Sequence, residues 1–377
     1  MAKKQMNKRQ QRLERERRLK KRRRKRFAII IIEILILAAL GVVAYGMFVM
    51  DKMDITTLNK DKLEVYKDTG DYTNIALFGL DSRGGELEGA VQSDCIMIAS
   101  INNKTNEIKL VSVYRDTLLK VTEEKYGKAN SAYNRGGPTE AIALLNRNLD
   151  MDIEKYISVN FNALADIVDA LGGIEIDMTD EEVYWTNGYC TETSQVVGRK
   201  TTELSGAGVH KLDGIQAVSY ARIRYTEGMD FKRTQRQRIV LEKIAEKAQK
   251  ANVVTLNNIV NKVMPQISTN LTTSNMLGLA AHAADYKLGE MSGFPFEVTT
   301  CEKVKNHKGS YVTAVGLTKN VSELHEFLFG ETDYQPSDTV KQINDDVIYM
   351  TGVDPDTYKS TMDYTYRSGG DNSDDEN

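Results

Sequence analysis

Cysteine is scarce in this chain of 377 residues: Cys95, Cys190 and Cys301 are the only three, and no two form a C-x-x-C pair. That spacing excludes a cysteine-built zinc site and a thioredoxin-like redox motif. Cys95 sits in an apolar strand-like run, CIMIA, and reads as a small buried residue. Cys190 and Cys301 lie in polar, loop-like contexts, where an exported chain could bridge them. Histidine is equally sparse. His210, His282, His307 and His325 are scattered without metal-ligand spacing, and each reads as a surface or helix residue rather than a catalyst. No G-x-S-x-G elbow, Walker A loop or G-x-G-x-x-G run occurs, which removes the support for a serine hydrolase, a nucleotide-phosphate cradle or a dinucleotide fold. Internal repeats are also lacking.

Charge is present but unevenly spread. The whole chain is net −3, yet residues 1–26 hold fifteen Lys or Arg against two acids. The remaining 351 residues therefore carry 35 basic and 51 acidic side chains, a net −16. Such a surface repels nucleic acid, so the basic run does not mark a nucleic-acid-binding protein. Residues 27–50 form an apolar run of 24 positions interrupted only by Glu33. About 20 suffice to cross a bilayer as a helix. The run exceeds a signal-peptide core and no small-x-small cleavage site follows it. Basic flanking residues stay on the cytoplasmic side. The expected layout is thus a basic cytoplasmic segment (1–26), one transmembrane helix (27–50), a short linker (51–72) and an extracellular domain (73–357). An acidic, disordered tail (358–377) closes the chain.

Short β-branched and apolar runs at 74–80, 95–101, 108–113 and 174–178, bounded by turn residues, read as buried strands. Helical spacing recurs at 138–148, behind Pro138, and at 161–171, before Gly172 and Gly173. Further helices are expected at 213–221, 233–250, 253–263, 273–286 and 322–329. Strands alternating with helices define an α/β domain with helices covering a sheet.

Charged residues collect at the ends of these strands. Asp81 and Arg83 follow the first, Asp94 opens the second, and Arg115 follows the third. Either aspartate alone reads as a loop or cap residue. If the first two strands pair, both carboxylates emerge at one edge, where they could share a magnesium ion. Arg222 and Arg224 would project to one side of an extended segment. Arg233 and Arg236 open a helix. A charged helix start is usually a solvated face. In an acidic domain, however, arginines repeated at element ends suit a pyrophosphate, whose oxygens guanidinium forks bind bidentately.

With these segments in order, NIALFGLDSR, QSDCIMIASIN, IKLVSVYRDT, KANSAYNRGG, FNALADIVDALGGIEI, HKLDGIQAVSYARIRY and DFKRTQRQRIV, the chain resembles the LytR-CpsA-Psr family of bacterial envelope enzymes. The resemblance spans residues 74–240. It implies a three-layer α/β/α domain with a mixed sheet. It also implies transfer of a glycopolymer, such as wall teichoic acid or capsular polysaccharide, from an undecaprenyl-pyrophosphate carrier to peptidoglycan through a phosphodiester. On that basis Asp81 and Asp94 hold Mg2+, and Arg83, Arg115, Arg222, Arg224 and Gln237 surround the pyrophosphate, with Arg233 and Arg236 as further members. Asp81, Asp94, Arg83 and Arg115 are the expected catalytic set. Three positions depart from the family pattern: Gln92 where Arg is frequent, Tyr114 where Pro is usual, and Cys95 where Thr is usual. A pyrophosphatase would use the same groups but pass the phosphoryl group to water. A regulatory or attenuator protein and a non-catalytic wall-binding module are the remaining alternatives. The helices at 138–148, 161–171 and 233–250 offer apolar faces to a lipid, a composition they share with ordinary core.

Overall fold

Alternation with a period of two decides how the chain is layered. In the computed structural model, which describes residues 54–81, 91–282 and 285–358, strand β2 (Tyr72–Leu80) pairs antiparallel with β3 (Ser93–Asn102). Ala76, Phe78 and Leu80 of β2, with Ile96 and Ile98 of β3, face one apolar core. Leu77 and Gly79, with Cys95 and Met97, face the opposite side and line a cavity there. One sheet thus has two buried faces, which requires helices on both.

The remaining strands extend that pair into a seven-stranded mixed sheet. Strand β4 (Glu107–Val113) is antiparallel to β3, and β11 (Lys287–Phe294) lies parallel beyond it. On the other side β7 (Lys155–Asn160) is parallel to β2, followed by β10 (Ile267–Thr269) and β1 (Asp54–Ile55). Hairpins β5–β6 (Leu118–Thr122, Lys125–Lys128), β8–β9 (Ile174–Met178, Gly208–Leu212) and β12–β13 (Val298–Cys301, Tyr311–Ala314) stand apart from it.

Helices α1 (Ser131–Leu149), α8 (Leu317–Phe329) and α9 (Asp338–Thr351) cover the first face, with Leu144, Leu145, Val321, Leu324, Val340 and Ile343 in its core. Gly136 and Gly137 leave helical geometry inside α1, so that its regular part begins at Pro138. The second face is covered by α2 (Phe161–Ala170), α4 (Gly214–Arg222) and α5 (Met229–Gln249). Helix α3 (Asp180–Val197) packs against α4 in a separate core with β8 and β9. Helices α6 (Val253–Val263) and α7 (Thr273–Ala281) complete the order.

Several expectations are corrected. Residues 54–72 are built into the domain rather than forming a free linker. Strand β1 pairs with Ser268 and Thr269, Leu63 is buried in the first core, and Glu64 makes an ion pair with Arg147. Cys190 and Cys301 are both free. Cys190 lies inside α3 and Cys301 ends β12 against the first core, so neither occupies a loop. The proposed transmembrane run at 27–50, residues 82–90 with Arg83, and the tail from 359 lie outside the described residues. Among the described residues no helix is long and apolar enough to cross a membrane.

Two close approaches shape the cavity side. A Cβ at Gly79 would stand 2.8 Å from Cys95 Cβ, so glycine there keeps β2 and β3 close where they form the cavity wall. At Gly214, the first residue of α4, a Cβ would stand 2.2 Å from the carbonyl oxygen of Ala165 in α2. Backbone cannot yield as a side-chain tip can. Gly214→Ala is therefore expected to part α2 from α4 and lower stability by about 1–3 kcal/mol, the usual cost of overpacking. Chemical denaturation compared with wild type checks this.

Candidate functional site

The β2–β3 register brings the charged strand ends together. Leu80 pairs with Ser93, and the Asp81 amide donates to the Gln92 carbonyl at 3.2 Å, so Asp81 and Asp94 emerge at one end of the sheet. Arg115 leaves the same end one strand over, two residues beyond β4.

Asp94 is the centre of the arrangement. Arg115 Nη1 donates to its Oδ1 at 2.6 Å, Arg224 Nη2 donates to Oδ2 at 3.0 Å, and Arg233 Nη1 lies 3.7 Å from Oδ2. Asp230, in the first turn of α5, supports two of these cations, at 2.8 Å from Arg233 and 3.5 Å from Arg115. Asp116 approaches Arg115 at 3.9 Å and pairs with Lys128 at 3.1 Å. Burial by itself would raise the Asp94 carboxyl, but the charges of Arg115, Arg233 and Arg224 and the Arg115 hydrogen bond outweigh it and hold the carboxyl below its ordinary value of 3.8. Arg233, only 3% exposed, is pulled down by burial against the support of Asp230 and Asp94.

An apolar cavity of about 240 Å3 opens beside this cluster. Its walls are Leu77 and Met97 of the sheet, Ile157 and Val159 of β7, and Leu164, Val218, Val240 and Ile244 of the covering helices. The polar members Asp94, Arg222 and Gln237 line it as well. Cavity and guanidinium cluster thus adjoin at Asp94. Burial pushes the Cys95 thiol up to about 12, which leaves it an inert part of the wall.

The expected arginines divide into two groups. Arg115, Arg224 and Arg233 converge on Asp94. Arg222 instead donates to Thr193 at 2.9 Å and Glu192 at 3.1 Å, with its guanidinium over the rings of Phe161 and Tyr189. Helix α4 ends at Arg222, and so Arg222 and Arg224 do not lie in one extended segment with a shared partner. Arg236 is turned into the protein, donating to Glu182 and Thr226 at 2.9 Å each, and makes no contact with Asp94. Glu182 also closes the capping box of α3, so Arg236 ties α5 to the start of that helix. Sequence reasoning did not single out Asp230. Its i,i+3 spacing to Arg233 at a helix start was the available signal.

Magnesium is held through one or two carboxylates together with phosphate oxygens and water. Asp81 fits such an ion: its Oδ1 is buried and accepts no hydrogen bond among the described residues. Asp94 fits less simply, since guanidinium groups already engage both its oxygens. Among the described residues no cluster of three or more metal-ligating side chains occurs.

A model of the LytR_cpsA_psr family matches residues 42–326, and the chain belongs to that family. A relative from Enterococcus faecalis, named polyisoprenyl-teichoic acid–peptidoglycan teichoic acid transferase TagU, is 30% identical over 66% of this chain and 77% of its own length. The same-named protein of Bacillus cereus is 31% identical over 56% of this chain, covering 65% of that relative, just under two thirds. Among solved structures, TagT bound to LI-WTA superposes with a TM-score of 0.55 at 21% identity, over 74% of this chain and 95% of that one. A structure of the family protein YwtF (TagT) with bound octaprenyl pyrophosphate lipid gives 0.51 at 20% identity, over 74% and 95%. These likenesses show the α/β fold with its mixed sheet.

Asp94→Asn removes the anion on which three guanidinium groups converge. The variant is expected to lose about 3 kcal/mol, as when one partner of a buried ion pair is deleted. Added inorganic pyrophosphate should restore more of its melting temperature than it adds to wild type. Because the folded carboxyl lies below 3.8, its contribution is full above that pH and is lost as pH falls through the lowered value. Urea midpoints from pH 6 to 3 should accordingly fall less steeply in Asp94→Asn than in wild type.

Proposed function

We propose that this protein is a membrane-anchored phosphotransferase that moves an anionic glycopolymer from a polyprenyl-pyrophosphate carrier to peptidoglycan. The observation that carries the reading is the junction of an apolar cavity with three convergent guanidinium groups at Asp94. A polyprenyl pyrophosphate has the same two-part chemistry, an apolar chain ending in clustered negative charge. The names of the relatives support the polymer class, wall teichoic acid or another secondary wall polysaccharide. The apolar run at 27–50 behind a basic flank supports an N-terminal anchor with the domain outside the cell. The −16 balance of the remainder argues against a nucleic-acid partner.

In the reaction, a peptidoglycan hydroxyl attacks the glycan-linked phosphorus. The bond to the bridging oxygen breaks, and lipid monophosphate leaves with the electron pair and, at the end, the hydroxyl proton. Arg115 and Arg224 can transfer their hydrogen bonds from Asp94 to phosphoryl oxygens as charge builds there, with the Arg233 charge beside them. Arg222 and Gln237 line the cavity, which supports them as partners of the lipid-side phosphate. Arg83 belongs to the same proposed set through the family pattern. Asp81, with Asp94 as second ligand, would hold Mg2+, whose charge would offset that of the pyrophosphate. Asp81 or Asp94 could also receive the hydroxyl proton.

The test uses the full-length chain in detergent with a polyprenyl-pyrophosphate-linked saccharide, Mg2+ and peptidoglycan oligomers, with products read by mass spectrometry. Saccharide joined to peptidoglycan through one phosphate is expected. Asp94→Asn and Arg224→Ala should each slow transfer by about 10²–10³-fold, and chelation of divalent ions should abolish it. Free sugar phosphate and lipid monophosphate in place of the conjugate would overturn the transferase in favour of a pyrophosphatase.

A further inference from the structure

A second, polar cleft borders the Arg115–Asp94 pair at its Arg115 end. Its volume is about 470 Å3, within the range of small-ligand sites. Arg115 lines this cleft and Asp94 lines the apolar cavity, so the two spaces meet across one 2.6 Å ion pair. The cleft is built from hairpin β5–β6, the first turns of α1 and the loop between β12 and β13. Its cations are Arg115, Lys128, Arg135 and Lys308, against a single carboxylate, Asp116. Lys128 is taken up by Asp116 and by the ring of Tyr311. Arg135 and Lys308 are exposed and make no ion pair with a described residue. In a domain whose charge is strongly negative, this is a local field for an anion.

The geometry of phosphoryl transfer gives the cleft a role. Attacking and leaving oxygens stand roughly in line through phosphorus. The leaving lipid phosphate follows its apolar chain toward the cavity, so the attacking hydroxyl enters from the opposite side of the Arg115–Asp94 pair. We propose that the polar cleft is the acceptor subsite, taking a glycan whose carboxylates Arg135 and Lys308 grip while its free hydroxyl is presented at Arg115. Gln92, which is exposed, and the buried Asn130 line the same cleft, and the neutral amide of Gln92 suits the hydroxyls of such a glycan. This assignment rests on the transferase reading for the identity of the reaction, but the binding it requires can be measured without any turnover.

The experiment compares the full-length protein with R135E/K308E and with the milder R135A/K308A, both checked for unchanged melting temperature. In transfer assays at saturating donor, the KM for carboxylate-bearing peptidoglycan oligomers is expected to rise at least tenfold in R135E/K308E. The KM for the polyprenyl-linked donor should stay within twofold. In parallel, fluorescence anisotropy of a labelled muramic-acid-containing oligomer, without donor, should show binding by wild type, weakening in R135A/K308A and loss in R135E/K308E. A rise in donor KM alone would place the donor glycan in the cleft and overturn the proposal. Unchanged KM values with unchanged oligomer binding would overturn it as well. If wild type transferred nothing, the transferase reading would fail, while the anisotropy series would still decide the subsite.

Discussion

Three guanidinium groups from three different elements cannot converge without an anion between them. Two unit charges about 4 Å apart interact by about 4 kcal/mol at the effective dielectric of a protein surface, so Arg115, Arg224 and Arg233 would repel one another strongly. Asp94 supplies the anion, and Asp230 anchors Arg233 and Arg115 from α5. The carboxylate thereby draws the residues after β4 and α4 and the start of α5 to one point. A pyrophosphate bound as proposed would offer the same guanidinium groups more negative charge in the same place. The guanidinium groups are thus gathered in advance, and the proposed pyrophosphate would need only to draw them from Asp94 rather than assemble them.

Sheet geometry places the apolar half of the site next to the charged half. Odd-numbered positions of β2 and β7 and the facing residues of β3 supply one wall of the cavity, while the ends of β2, β3 and β4 carry Asp81, Asp94 and Arg115. A register slip of one residue between β2 and β3 would put Leu77 and Met97 on opposite faces of the sheet and shift Asp81 relative to Asp94 at once. The first core, filled by Phe78, Ile98 and the residues of α1 and α8, fixes that register. Packing remote from the chemistry therefore sets the position of the charges.

The sequence was most readable where burial imposes a pattern. The runs NIALFGL, CIMIASI and IKLVSV are buried strands, and the pairing of the first two put Asp81 and Asp94 at one end as their order along the chain requires. The apolar faces of α2, α4 and α5 were readable as faces, but only their convergence on the second side of the sheet distinguishes a cavity wall from core. Helix α3 was less accessible, because DEEVYWTNGYCTETSQVV is polar and weakly periodic. Its Thr179-x-x-Glu182 capping box was the local cue. Arginine roles were the least legible. Arg236 and Arg233 lie one helical turn apart, yet one binds Glu182 and the other Asp94, a choice made by neighbours brought in from distant sequence. The partner of Arg222 is likewise supplied by α3.

The most direct measurement is a crystal structure of the protein with a polyprenyl pyrophosphate. The account predicts the diphosphate within hydrogen-bonding distance of Arg115, Arg224 and Arg233, the prenyl chain running past Leu77, Ile157, Leu164 and Ile244, and the Asp94 carboxylate released from at least one of its arginines. A diphosphate bound away from these three side chains, or a chain lying outside the cavity with the Asp94 cluster unchanged, would contradict it.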